Sequence, residues 1–337
     1  MVGKTETPTE RPKPKRRWFQ YSLGTLLVFV AVCAIPCSWL SVKMRQAERQ
    51  REAATAIERL GGIAQWDRKA LGWPAWLRKL LGHDFFNSAV SVSFSSGKAA
   101  NAGLGHLKGL SQLQFLWLDG AEVTDAGLEQ LTGLSRLQTL ELNGTKISDV
   151  GLEHLSGLRQ LQTLGLNRTH VTDAGLEHLM GLSKLEYLSL NDTHVTDVGL
   201  EHLEGLSKLG GLDLKGTQVT GVGLEQLKGL SELVQLSLDN TYVTDDGLEH
   251  VKGLSKLVQL SLDNTDVTDA GLEHVKGLSK LEHLSLNNTH ATDVGLEHLK
   301  GLSNLQRLEL DDTHVTDAGL EHLKGLSQLH LTSQKVR

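Results

Sequence analysis

The stretch Leu137-Gln-Thr-Leu-Glu-Leu-Asn-Gly-Thr-Lys-Ile-Ser-Asp-Val-Gly-Leu-Glu-His-Leu-Ser-Gly-Leu-Arg-Gln160 decides how this chain folds, because the chain writes it over and over. Its central Gly151-Leu152 recurs at Gly103, Gly127, Gly175, Gly199, Gly223, Gly247, Gly271, Gly295 and Gly319, each step 24 residues without an insertion. A fixed period of this length marks a stacked solenoid. Leu140 and Leu142 alternate with polar residues, which predicts a short strand with one face inward. Thr145 and its equivalents place a hydroxyl column after each strand. That column is expected to bond the backbone of neighbouring coils as a ladder. Ser148-Asp149 offers a helix N-cap with an acid in the first turn. Leu152 and Leu155 share one helical face, and Gly157 is expected to close the helix with a positive φ. No unit can bury its own leucines. Stacked about 4.8 Å apart, ten units make a wall of roughly 45–50 Å, with strands on the concave face and helices on the convex one.

Upstream of the repeats the composition changes. Residues 1–100 carry 16 Lys/Arg against 7 Asp/Glu, and residues 101–337 carry 18 against 33, which yields the net charge of −6. An acidic repeat region argues against a nucleic-acid partner. Basic residues instead bracket an uncharged run from Trp18 to Val42. A helix of that length spans a bilayer core of about 30 Å. Trp18 and Tyr21 at one end and Trp39 at the other suit the two interfaces. Arg11, Lys13, Lys15, Arg16 and Arg17 outweigh the mixed charges after Val42 only slightly. This bias places the N-terminus in the cytoplasm and the repeats outside it. Cleavage after the small residues Val32 and Ala34 and a twin-arginine export signal at Arg16-Arg17 are the competing readings.

The predicted layout is a basic cytoplasmic tail (1–17), a transmembrane helix (18–42), a juxtamembrane helix ending at Gly61-Gly62 (43–62), an N-terminal cap of the solenoid (63–97) and the repeat domain (98–337). The cap rests on Trp66, Trp73, Trp76, Phe85, Phe86 and Phe94, and on the strand pattern of Val90, Val92 and Phe94. It covers the open apolar face of a first coil. At the other end, Leu329-His-Leu-Thr-Ser-Gln-Lys-Val-Arg337 loses the strand pattern without a polar cap. Self-association at that end, or a shortened 3′ end of the gene, is expected.

The unit Leu-x-x-Leu-x-Leu-x-x-Thr-x-Val-Thr-Asp-x-Gly-Leu-x-x-Leu resembles the leucine-rich-repeat family, with Thr where the commonest form has Asn. Its helical half is similar to the cysteine-type repeats of F-box receptors, but the cysteine is missing. The layout is more similar to bacterial membrane-anchored leucine-rich-repeat proteins, which share the Arg17-Trp18-Phe19 type of start, one span, and a charged helix ending in Leu60-Gly61-Gly62. The resemblance implies an α/β solenoid and a protein-interaction module in the cytoplasmic (inner) membrane, crossing once, with its repeats outside the cytoplasm. It is nearly silent about the ligand.

Chemistry-bearing columns are explained by the repeat. Histidines recur at His106, His154, His178, His202, His250, His274, His298 and His322, and after Thr at His170, His194, His290 and His314. Stacked imidazoles suit zinc, nickel or a pH response, yet Gln130 and Gln226 take the same place without harm to the pattern. Asp and Asn stack from Asp119 to Asp311, but parallel stacking spreads their oxygens instead of converging them on calcium. The two cysteines, Cys33 and Cys37, lie in the apolar run, so the repeats hold no thiol chemistry. No nucleophile has a base at motif spacing and no phosphate loop is present. The reading is therefore a non-enzymatic chain without cofactor, catalytic residue or metal ligand.

A partner is expected on the concave face, at positions flanking the second strand leucine. Phe115, Trp117, Tyr187, Asp213, His283, Arg307 and Glu309 are the candidates, since aromatics and Arg are enriched at binding hot spots. Phe115 and Trp117 packing on the cap is the alternative. The glycines of Leu209-Gly-Gly-Leu-Asp-Leu-Lys-Gly216 and Gly221 read more readily as drift than as room for a ligand. The partner is a protein or envelope component. The competing functions are a structural envelope scaffold without a specific ligand and a cytoplasm-facing adaptor.

Overall fold

The computed structural model describes residues 23–67, 74–94 and 100–331. The tail 1–17, the start of the apolar run at 18–22, parts of the cap region (68–73 and 95–99) and the end of the chain (332–337) lie outside the described residues. The chain divides into two units, Met1–Gln46 and Ala47–Arg337. In the first, helix α1 (Leu23–Arg59) begins within the apolar run and continues into the second. Among the described residues no helix is long and apolar enough to cross a membrane.

Among the described residues the second unit is built on one sheet of twelve strands in chain order. They are β1 (Gly62–Trp66), β2 (Ala89–Phe94), β3 (Phe115–Trp117), β4 (Thr139–Glu141), β5 (Thr163–Gly165), β6 (Tyr187–Ser189), β7 (Gly211–Asp213), β8 (Gln235–Ser237), β9 (Gln259–Ser261), β10 (His283–Ser285), β11 (Arg307–Glu309) and β12 (His330–Leu331). β1 runs antiparallel to β2, and every later pair is parallel. The central leucines stay in register from Leu116 to Leu308. With the helix leucines they form one continuous buried core, as a stack of units unable to fold alone requires. The strand pattern persists farther than expected: His330–Leu331 still pairs with β11.

The beginning of the sheet is covered from within the chain. Gln50, Ala53, Ala54 and Ile57 of α1 are buried, and the Gln50 side-chain oxygen accepts the Ala89 N–H at 3.3 Å. Beyond Ala47 this helix is therefore part of the folded unit and no bare spacer. Glycine at 109 lets it approach, since a Cβ there would lie 2.9 Å from that of Ala53.

Two local expectations need correction. The hydroxyls of the Thr145 column do not ladder between coils. Thr145 donates to Leu142 O of its own coil at 2.6 Å, as do Thr169, Thr193 and their equivalents. Three residues past the leucine, the side chain folds back on its own turn. Gly157 does not have a left-handed φ. Of its equivalents Gly133 does, at φ 101°, but the left-handed residue that recurs sits in the other turn, at Gly120, Gly144, Arg168, Asp192, Gly216, Asn240, Asn264, Asn288 and Asp312. Gly, Asn and Asp are the residues that tolerate that backbone, and Arg168 is the exception.

Coils are tied together by carboxylates and amides. Asn143 Oδ1 accepts the Asn167 N–H at 2.9 Å, and Asn167 Oδ1 that of Asn191 at 2.7 Å. On the other edge, each helix-start Asp accepts twice from the next coil: Asp149 takes the Thr172 N–H at 2.8 Å and its hydroxyl at 2.7 Å. This contact accounts for the recurrent Gly-Leu. A Cβ on Gly175 would collide with Asp149 Oδ1, and Gly199, Gly271 and Gly295 stand likewise against Asp173, Asp245 and Asp269.

Candidate functional site

Because strand side chains alternate, each inward leucine is flanked by two outward positions, and the parallel register lines these up in two rows. One row runs Phe115, Thr139, Thr163, Tyr187, Gly211, Gln235, Gln259, His283, Arg307; the other runs from Trp117 through Asp213 to Glu309. All seven candidates therefore stand on one face. They fall into three separate groups.

At the first group, Phe115 and Trp117 stack on each other, with ring centroids 5.8 Å apart and planes 9° from parallel. Their register neighbours on β2 are Ser91 and Ser93, and both rings remain half-buried. At the second, the Tyr187 hydroxyl donates to Asp213 Oδ2. Burial, then the hydrogen bond and charge of Asp213, push the phenol well above its ordinary value. Gly211 makes this possible, since a Cβ there would collide with the Tyr187 ring. The glycine read as drift thus has a packing role. At the third, His283, Arg307 and Glu309 line one recess with Gln235 and Gln259. Glu309 accepts from Ser285 Oγ at 3.2 Å and Asn287 Nδ2 at 3.0 Å. Arg307 is exposed and makes no ion pair among the described residues.

A second recess surrounds Tyr187 and crosses Gly210 and Gly211, walled by Glu186, Lys208, Glu232 and Val234. These wall residues stand one to three places before the outward row, and nothing in the repeat pattern singled them out. Two acids on this face titrate high. Burial raises Glu141, against the Asn143 amide and with the charge of Asp119. Burial also raises Asp239, opposed by hydrogen bonds from Ser261 and Asp263. Gly165 leaves space for the Glu141 carboxylate in the way that Gly211 does for Tyr187.

The histidine columns stay apart from these groups. His290 and His314 approach with ring centroids 6.4 Å apart. Among the described residues, no group of three or more His, Cys, Asp or Glu is placed to hold a metal ion.

Leucine-rich-repeat family models match residues 183–243 and 255–315, and residues 135–156. No curated protein matches. Among solved structures, internalin C2 of Listeria monocytogenes is 31% identical, with a TM-score of 0.50, over 63% of this chain and 84% of its own. A second internalin of that organism is 24% identical, with a TM-score of 0.50, over 69% of this chain and 77% of its own. A leucine-rich-repeat protein of Leptospira interrogans is 21% identical, with a TM-score of 0.53, over 67% and 62%. The last two likenesses concern the fold alone.

Proposed function

The chain belongs to the leucine-rich-repeat family, and from that premise we propose that it is a membrane-anchored, non-enzymatic module that binds a protein or envelope component on its concave face. The observation that carries this reading is the unbroken register of the sheet, which sets stacked Phe115 and Trp117, Tyr187 and the exposed Arg307 on one surface. Aromatic and Arg side chains held on a rigid frame are what a protein partner uses as anchors. Substituting Trp117→Ala and Arg307→Ala should each weaken capture of a co-purifying partner by tenfold or more. Full retention of every captured protein by the double variant refutes the concave-face reading.

Support for the anchor comes from the uncharged run 18–42 and from α1, where Leu27, Val28, Val32, Ile35 and Trp39 are exposed. Apolar side chains on a solvated helix need a cover, and a bilayer is the cover that the flanking basic residues suit. The proposed topology puts the repeats outside the cytoplasm. A reporter fused to the C-terminus should read as exported. A cytoplasmic readout would instead favour the adaptor facing the cytoplasm. The scaffold reading is favoured by one feature, the near-identity of 241–264 and 265–288 even at polar positions. Unchanged envelope integrity in a deletion strain, together with loss of one captured partner, would count against it.

A further inference from the structure

Seven of the boundaries between successive coils from Asp119 to Asp311 are strutted alike by three side-chain hydrogen bonds. In one, the Asp/Asn column accepts a backbone N–H, and in two the helix-start Asp accepts the N–H and the hydroxyl of a Ser or Thr. At the remaining boundary, between β7 and β8, both columns fail together. Lys215 stands where the first column has Asp or Asn, so no side-chain oxygen faces the Asp239 N–H. Gly221 stands where the second column has Asp, so Thr244 lacks the pair of bonds that hold Thr220 at 2.7 and 2.6 Å and Thr268 at 2.7 and 2.6 Å.

The backbone changes at the same place. The helical segment Gly223–Gly229 is wholly 3₁₀, whereas the next three coils have seven-residue α-helices, Asp245–Val251, Asp269–Val275 and Asp293–Leu299. A 3₁₀ stretch rises about 2.0 Å per residue against 1.5 Å for α, and such stretches recur at hinges. Gly221 and Gly247 meet backbone to backbone, and a Cβ on Gly221 would lie 2.8 Å from Gly247 Cα. The main-chain ladder nevertheless runs on, with Leu214 N–H to Ser237 O at 3.0 Å and Gly216 N–H to Asp239 O at 2.8 Å. Lys215 reaches Asp239 only as a nearby charge. The boundary is thus joined along the sheet, through the leucine core and by one exposed ion pair, Lys256 Nζ to Glu232 Oε1 at 2.6 Å, while the struts found at the other seven boundaries are missing on both edges. The glycine-floored recess at Gly210 and Gly211 opens at this place.

We infer that the β7–β8 boundary is a hinge seam, dividing the solenoid into a block ending with the β7 coil at 232 and a block beginning with the next coil at 233, which bend and open against each other there first. Local opening of this kind is read by amide exchange, which reports the free energy of each opening unit. In the full chain, peptides covering 233–246 should exchange at least tenfold faster than the equivalent peptides one coil later, 257–270. Lys215→Asn restores the missing oxygen and should slow exchange of 233–246 severalfold. Adding Gly221→Asp, whose Cβ would lie 2.8 Å from Gly247 Cα and so needs the main chain there to shift, should bring it level with 257–270. Equal exchange of the two regions in the unaltered chain overturns the proposal, and so does a folded Lys215→Asn variant whose 233–246 exchange is unchanged. If Gly221→Asp fails to fold, the unaltered chain and Lys215→Asn still decide.

Discussion

Asp269 shows how much of this fold rests on single atoms. Its two oxygens take the N–H of Thr292 at 2.7 Å and the hydroxyl at 2.6 Å, and Gly295 is glycine so that they can. Hydrogen bonds to a charged acceptor contribute about 1.5–3 kcal/mol each when shielded, and this site is half-exposed. Asp269→Ala is expected to cost about 2 kcal/mol, read as a lower denaturant midpoint. Asp269→Asn should cost less, because Asn101 already holds Thr124, its Oδ1 accepting the N–H at 3.2 Å and its Nδ2 donating to the hydroxyl oxygen at 3.1 Å. The ladder was legible in the sequence as a column, but its chemistry was misassigned. Thr145 and Asn143 recur with one period, and only geometry tells which oxygen points along the stack and which folds back on its own turn. The left-handed turn was also written in plain letters. Its column mixes Gly, Asn and Asp, whereas the uniform column of Gly157 drew the eye, and nothing in the structure explains why most of that column is glycine.

Single groups also set the response to pH. Burial raises Glu141, so the native state holds that proton more tightly than the unfolded chain does. Its contribution therefore falls as pH rises from the unfolded value, about 4.3, through the raised folded one. Glu141→Gln keeps the acceptor for Asn143 and should raise the melting temperature at pH 7, with the gain vanishing below about pH 4. Asp293 runs the other way. Bonds from the Thr316 N–H and hydroxyl lower it, so its contribution is present above about pH 4 and is lost as pH falls through the lowered value. Asp293→Asn should therefore matter at neutral pH and cease to matter in strong acid, measured as the difference in melting temperature across a pH series.

Among the elements, β7 is the informative one. The repeat pattern placed every strand and the outward rows, because a two-residue alternation leaves no choice of face. It could not tell why Leu209-Gly-Gly-Leu departs from its neighbours. Tyr187 belongs to the preceding coil, and its claim on the space over Gly211 crosses 24 residues of chain. Gly211→Gln, the residue found at 235 and 259, should displace the Tyr187 ring. With its bond to Asp213 lost, the phenol should then titrate nearer the ordinary tyrosine value, about 10. Ultraviolet absorbance at high pH checks this, with Tyr187→Phe identifying the signal. In the unaltered chain Tyr187 should ionise only above the ordinary tyrosine range.

On the scale of the whole molecule, the acceptor at one position and the donor 24 places later form a joint that is the same wherever it occurs. Excising 241–264 would present Asp239 with the N–H that now belongs to Asn287, and the core leucines would meet again in register. A chain lacking those residues should fold, with unchanged circular dichroism per residue and a shorter end-to-end dimension in small-angle scattering. Reach is therefore quantised. Unequal recombination between near-identical gene segments such as those encoding 241–264 and 265–288 lengthens or trims the wall by whole rungs, so a lineage can retune how far this surface extends without altering a single contact.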